Sequence, residues 1–100
     1  MSGTDLHDRL RPVIARGFRL QWEPVQSAHV LLYPEGMVKL NRSAGEILQR
    51  CDGRSTVAEI VADLERVFDR HDLFADVAAF LALARARGWV QLDYGTRSEP

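Results

Sequence analysis

The residues that most often carry enzyme chemistry are few in this chain and lie apart from one another. The histidines are His7, His29 and His71, and none has a histidine or carboxylate four residues away, the spacing of a metal-ligand pair on a helix. Cys51 is the only cysteine, and Asp52 beside it disfavours the nucleophilic thiolate. Since there is also no glycine-rich phosphate loop and no paired acid and base, the sequence predicts no metal site, no catalytic residue and no enzyme.

The composition is that of one small globular domain. The 100 residues are 46% hydrophobic and 27% charged, and the net charge is −1 with both signs mixed along the chain. This balance lacks the polybasic surface of a nucleic-acid-binding protein, and no segment approaches the roughly 20 apolar residues that span a bilayer. The first residues lack the pattern of a signal peptide, so we expect a cytoplasmic protein with neither membrane nor nucleic acid as a partner.

The first half of the ordered region is typical of a small antiparallel sheet. Residues 18–23 alternate between apolar and polar types, which predicts a half-buried strand. Its core-facing side chains would be Phe18, Leu20 and Trp22. Two further strands are predicted for residues 28–33 and 37–40, because the proline and glycine of Pro34-Glu35-Gly36 suit a type I turn between them.

Three helices are predicted to follow the sheet. Two pairs have the spacing of a capping box and predict the N-termini of the first two helices. These pairs are Ser43 with Glu46 and Thr56 with Glu59. Gly45 inside the first helix predicts close packing there, because glycine costs about 1 kcal/mol of helix propensity relative to alanine. The third helix is predicted for residues 73–87, with Gly88 as its left-handed cap and Trp89 folding back.

The order of the predicted elements sets the fold class. We expect an α+β, winged-helix-like domain in which a three-stranded antiparallel sheet is followed by three helices.

The third helix is unusually apolar, since Asp76 and Arg85 are its only charged residues between positions 73 and 86. A helix that is apolar nearly all round is buried on more than one side or offers a surface to a partner. Alanines supply much of this character and expose little area each, and the face with Phe80 and Leu81 is more typical of a core than of a groove. The helix alone leaves both interpretations open.

The last predicted strand, residues 37–40, would lie at a sheet edge with unpaired backbone N–H and C=O groups. Such an edge can bind an extended peptide as an added strand. It can equally pair with a second copy of the chain, giving a dimer or a domain swap. The residues themselves do not rank these outcomes.

Several segments also match a known family in their order and spacing. They are Arg11-Pro12-Val13-Ile14-Ala15-Arg16-Gly17-Phe18-Arg19-Leu20, Leu32-Tyr33-Pro34-Glu35-Gly36, Leu40-Asn41-Arg42-Ser43-Ala44, Ile47-Leu48 with Asp52-Gly53, Val77 with Phe80-Leu81, and Arg87-Gly88-Trp89-Val90. Through these segments, from about residue 11 to residue 92, the chain resembles the PqqD family, the peptide-binding proteins of pyrroloquinoline quinone biosynthesis.

The resemblance implies a domain that binds the ribosomally made precursor peptide PqqA and presents it to the radical SAM enzyme PqqE, with no metal or cofactor of its own. The peptide would add beside the third strand and pack against the third helix. The residues that would bind it are Met37, Val38, Lys39, Leu40, Asn41, Val77, Phe80, Leu81, Ala84, Arg85 and Arg87. We expect residues 11–93 to form a single peptide-recognition domain between a flexible arm, 1–10, and a flexible tail, 94–100.

Two other functions remain open from the residues alone. A winged helix can bind DNA, but its recognition helix needs basic or amide side chains where the third helix has alanines. The chain can instead be a structural module, monomer or homodimer, that self-associates through the same strand and helix. Arg16 and Arg19 are candidates for contacting the partner enzyme, whereas Gly17 is expected to allow a turn with positive φ.

Overall fold

The structure is a computed structural model that describes residues 7–93 of the chain. In chain order its elements are β1 (Arg11–Ile14), β2 (Arg19–Glu23), β3 (Ala28–Tyr33), β4 (Gly36–Lys39), α1 (Arg42–Gln49), α2 (Val57–Phe68), α3 (Phe74–Ala86) and β5 (Val90–Asp93). The predicted α+β arrangement is confirmed, because an antiparallel sheet of three strands precedes three helices. A second, two-stranded sheet is added to it.

The three-stranded sheet has the order β2-β3-β4, so β4 lies at an edge as predicted. Tyr33 pairs with Gly36, which leaves Pro34 and Glu35 as a two-residue turn. Proline has the fixed φ that the first central position of a type I turn requires. The hairpin that carries the edge strand is therefore specified by its turn sequence.

The two-stranded sheet pairs β1 with β5. Ile14 lies opposite Val90, and the N–H of Ala15 donates to the carbonyl of Trp89 at 2.8 Å. Each strand has only four residues, too few for an alternating pattern to be recognised in the sequence. The sheet joins the two ends of the described chain, and so it closes the domain.

Residues before β1 also belong to the packed domain. Leu10 is 5% exposed, and its carbonyl accepts the N–H of Val57 at 2.8 Å. The carbonyl of Asp8 accepts the N–H of Ala58 at 2.9 Å, so this segment satisfies free N–H groups at the start of α2. The domain expected for 11–93 thus extends further towards the N-terminus. Residues 1–6 of the expected arm and the expected tail, 94–100, lie outside the described residues.

The first two helices begin at side-chain caps. Asn41, and not the predicted Ser43, caps α1, since its Oδ1 accepts the N–H of Ala44 at 2.8 Å. The backbone of Asn41 is extended, as an N-cap requires, whereas Ser43 is already helical. The capping box of α2 is confirmed: the Thr56 hydroxyl accepts the N–H of Glu59, and the Glu59 carboxylate accepts the N–H of Thr56.

Both ends of α3 are held by contacts from outside the helix. Leu73 at its start has no side-chain cap of its own, and the carboxylate of Glu65 on α2 accepts its N–H at 3.0 Å. Gly88 at its end has φ +79°, and the N–H of Trp89 donates to the carbonyl of Ala84 at 2.8 Å. Trp89 folds back into the core, which confirms the predicted glycine cap.

A hydrophobic core fills the space between the three-stranded sheet and the helices. Its largest fully buried side chains are Leu31, Leu48, Val57, Ile60, Leu64 and Leu81. Trp22 was expected there, but this prediction is wrong, because its side chain is 52% exposed and its ring lies edge-on against His29 with centroids 5.0 Å apart. β2 is an edge strand, and Trp22 near its end covers His29 instead of reaching the core.

Candidate functional site

A groove of about 400 Å³ lies where the start of α1, the end of α2 and one side of α3 meet. Its lining residues are Asn41, Ser43, Ala44, Ile47, Leu64, Phe68, Arg70, Leu73, Asp76, Val77, Phe80 and Leu83. The floor is buried and apolar, formed by Ile47, Leu64 and Val77. At the rim, Phe80 is half-buried and Leu83 is 42% exposed. The groove therefore offers apolar surface to a ligand.

Two neighbouring sides of α3 are largely apolar, and one lines the groove while the other packs in the core. The groove side consists of residues at steps of three, four and three along the helix: Leu73, Asp76, Phe80 and Leu83. The core side consists of the buried residues Val77, Leu81 and Ala84, of which Val77 also forms part of the groove floor. This answers the question that the composition of the helix raised, because one apolar side packs in the core and the next lines the groove.

Asn41 connects the edge strand to the groove. It follows β4, caps α1 with its side chain and is one of the residues that line the groove. The N–H of Leu40 donates to the carbonyl of His29 at 3.0 Å, so pairing with β3 continues to the residue before Asn41. A segment lying along β4 would therefore run directly into the groove.

The backbone of β4 alternates between its partner strand and the open edge. The bond from Leu40 to His29 fixes this alternation: Leu40 and, two residues earlier, Val38 direct their N–H and C=O groups at β3. The N–H and C=O groups of Met37 and Lys39 point the other way. Within residues 7–93, no strand pairs with that edge.

The side chains of β4 alternate between the two faces of the sheet. Val38 lies opposite Leu31 and packs against the core. Met37 and Lys39 project from the other face, where both are exposed. These two residues thus present backbone groups to the edge, while their side chains do not face the groove.

Apart from Met37 and Val38 on β4, the apolar residues expected to bind the peptide fall into two groups. Val77 and Phe80 line the groove. Leu40, Leu81 and Ala84 lie in the core at 5%, 0% and 0% exposure, where they hold the strand and the helix in position.

The two arginines of the expected set are both exposed but lie on different sides of α3. Arg87 comes four residues after Leu83 and continues the groove side, with its guanidinium 5.6 Å above the ring of Trp89. Arg85 comes four residues after Leu81 and borders the core side away from Leu83. Arg87 therefore lies closer to the path of a ligand in the groove.

Part of the groove comes from α2 and the loop after it. Phe68 at the end of α2 lines the groove, and the guanidinium of Arg42 lies 4.7 Å above its ring. Arg70 in the loop also lines it, so the groove carries a cation as well as the anion of Asp76. No pattern in the sequence predicts that Phe68 and Arg70 lie beside α3.

The thiol of Cys51 is buried. Burial, with a smaller effect of the Asp52 charge, raises its pKa to about 12, and its Sγ donates to the carbonyl of Ile47 at 3.4 Å. Among residues 7–93, no three His, Cys, Asp or Glu side chains are grouped so that they could hold a metal ion. No helix in that range is long and apolar enough to cross a membrane.

Comparison with known proteins decides the family. The family model described as coenzyme PQQ synthesis protein D (PqqD) matches residues 28–90. The chain belongs to the PqqD family. The resemblance found in the sequence is thereby confirmed.

PqqD relatives with similar sequences carry the name PqqA binding protein. One from Azotobacter vinelandii is 54% identical over 93 residues, which cover 92% of this chain and 99% of the relative. Another, from Pseudomonas aeruginosa, is 57% identical over 83 residues, covering 82% of this chain and 90% of the relative. These names describe binding.

A solved PqqD structure has the same fold. It is the solution NMR structure of the PqqD truncation of Methylobacterium extorquens PqqCD, described as a functional and stand-alone recognition element for ribosomally synthesized and post-translationally modified peptides. The two chains are 32% identical, the TM-score is 0.73, and the match covers 91% of this chain and 99% of the other. The relatives are thus named for binding, and this neighbour is described as a recognition element.

Proposed function

We propose that this chain is a peptide chaperone that binds the precursor peptide PqqA and presents it to the radical SAM enzyme PqqE. The observation that carries the proposal is the open edge of β4, which leads through Asn41 into an apolar groove. Relatives named for PqqA binding, at 54% and 57% identity, support PqqA as the ligand.

PqqA would bind as an added strand beside β4. The outward N–H and C=O groups of Met37 and Lys39 would pair with its backbone, which gives affinity with little dependence on sequence. Beyond Asn41, an apolar side chain of the peptide would enter the groove and contact Phe80 and Leu83. Burial of a leucine-sized side chain contributes about 1.5–3 kcal/mol, so the groove supplies selectivity as well as affinity.

Charged side chains near this path would orient the peptide. Arg70 lines the groove, Arg87 continues its α3 side, and Lys39 lies beside the open edge. These three cations would attract an acidic peptide segment, whereas Asp76 would repel a carboxylate placed next to it. Together they would restrict the register in which an acidic peptide binds.

In this proposal the chain performs no catalysis and holds no metal or cofactor, and PqqE carries out the reaction. We place it in the cytoplasm, because a ribosomally made peptide is available to its enzyme there.

The experiment that tests this function is a titration of the isotope-labelled domain with synthetic PqqA, followed by NMR. We expect saturable binding with amide shifts concentrated on Met37, Lys39, Asn41 and the groove side of α3. Shifts confined to β1 and β5 would place the site elsewhere, and the absence of binding would reject the function. For presentation, we expect PqqE to modify PqqA faster with the domain present than without it.

A further inference from the structure

A second depression lies at the end of the three-stranded sheet where the β3–β4 hairpin turns, beside the start of β2 and the end of β3. It has a volume of about 410 Å³, is open to solvent, and is lined by Gly17, Phe18, Arg19, Leu32, Tyr33 and Pro34. We call it the hairpin depression. Its walls are largely aromatic and apolar, with the rings of Phe18 and Tyr33 in tilted contact at 5.5 Å between centroids. It has no lining residue in common with the groove.

Exposed arginines accompany the hairpin depression. Arg19 lines it. Within residues 7–93, the guanidinium of Arg19 makes one hydrogen bond, a long one of 3.5 Å to the side-chain oxygen of Gln21. Arg16 is exposed and directly precedes Gly17, which turns the chain into β2 with φ +94° and so confirms the expected turn. Glu35 follows the lining residue Pro34 on the hairpin turn, so Arg16, Arg19 and Glu35 together carry a charge of +1. The local charge balance of these side chains is positive.

The position of the hairpin depression relative to β4 indicates its use. β4 begins at Gly36, two residues after Pro34, and leads to Asn41 in the groove. Five residue steps in a strand span about 17 Å, so a peptide paired along the open edge would connect the groove to the hairpin end. Its chain would leave the domain at the hairpin end of the sheet, one strand beyond β4, and the hairpin depression lies at the same end, beside β2 and β3.

We propose that the hairpin depression is the surface on which the enzyme that receives the peptide docks. This inference rests on the proposed function, since it concerns how a bound peptide is handed over. The chemistry of the surface calls for a partner that inserts an apolar or aromatic side chain between Phe18, Tyr33 and Pro34 and places carboxylates beside Arg16 and Arg19. A protein seated there would meet the emerging peptide without covering the groove.

The test compares two double variants of the full chain that change charge equally. Arg16→Glu/Arg19→Glu reverses the charge at the hairpin depression. The control, Arg9→Glu/Arg54→Glu, reverses two exposed arginines near the start of α2. Thermal unfolding of both confirms that they fold. Two dissociation constants are then measured for each protein, one with synthetic PqqA and one, for the PqqA-loaded domain, with purified PqqE.

We expect Arg16→Glu/Arg19→Glu to bind PqqE about tenfold or more weakly, with a smaller dependence on salt, and to bind PqqA within about twofold of the unmodified chain. The control should keep both affinities. Unchanged PqqE binding with normal PqqA binding would overturn the docking surface and leave the proposed function intact. If the unmodified chain bound no PqqA, the proposed function would fall and this inference with it.

Discussion

His29 and Gly45 lie so close together that α1 can approach β3 only with glycine at position 45. A Cβ atom on Gly45 would come within 2.8 Å of Nδ1 and 3.1 Å of Cβ of His29. Rotation of the imidazole would not remove the second contact, because Cβ is fixed to the backbone. The close packing predicted from a lone glycine in a helix is thus confirmed, and it sets the position of Asn41 and Ile47 at the groove.

Gly45→Ala should therefore destabilise the domain, although alanine is the better helix former. We expect overpacking to cost about 1 to 3 kcal/mol of unfolding free energy, offset by up to about 1 kcal/mol of helix propensity. Urea unfolding of the variant and the unmodified chain measures the difference. In the His29→Gly background, which removes both the imidazole and the Cβ atom, the same substitution should cost little or become stabilising. A Gly45→Ala variant as stable as the unmodified chain would contradict this packing.

Much of the fold is local, and the sequence predicts that part. The turn at Pro34 and Glu35, the capping box at Thr56 and the left-handed Gly88 each depend on a few neighbouring residues. Asn41 instead of Ser43 as the cap of α1 depends on where β4 stops, which its pairing with β3 determines. The β1–β5 sheet depends on contact between the two ends of the described chain, and no local pattern carries that information.

Lys39→Pro tests whether the edge of β4 binds backbone. Proline at position 39 removes the outward N–H but no hydrogen bond to β3. Edge strands tolerate proline where the N–H faces away from the partner strand. We expect the affinity for PqqA to fall by about tenfold, the equivalent of about 1.4 kcal/mol. The matched variant Lys39→Ala keeps the N–H and should lose less. Equal losses for the two, measured by fluorescence anisotropy, would assign the effect to the side chain.

Self-association through β4 would use the same backbone groups of Met37 and Lys39 as the peptide. We therefore expect any dimer that forms through this edge to dissociate when PqqA is added, since one edge cannot pair with two strands. Sedimentation over a concentration series, with and without PqqA, measures this. A dimer that keeps its mass at saturating PqqA would show that self-association uses another surface.

Arg85 in the last turn of α3 and Arg87, the C-cap that follows it, provide a comparison. Both are exposed and neither lines the groove, but spacing along the helix places Arg87 after Leu83 on the groove side and Arg85 on another side. Arg87→Glu should weaken binding of an acidic PqqA segment more than Arg85→Glu, by about threefold to tenfold, and the difference should shrink at high salt. Because Arg87 also stacks on Trp89, Arg87→Gln serves as the neutral control. An equal effect of the two reversals would remove Arg87 from the peptide's path.

Only part of the groove could be predicted from the sequence. Steps of three, four and three residues place Leu73, Asp76, Phe80 and Leu83 on one side of α3, and that spacing can be read directly. Phe68 and Arg70 join them only because α2 and α3 pack side by side, with Glu65 holding the start of α3. Leu81 and Ala84 share the apolar character of their helix, but their burial is fixed by the core that forms around them.

Leu83 and Val67 offer the most direct test of the account. Their side chains are 42% and 41% exposed, on α3 and α2 respectively, and of the two Leu83 lines the groove. Leu83→Glu and Val67→Glu should therefore affect folding similarly, while only the first places a charge where the peptide's apolar side chain would lie. Calorimetric titration with PqqA should show binding at least about tenfold weaker for Leu83→Glu and within about twofold for Val67→Glu. Equal affinities for the two variants would contradict binding in the groove.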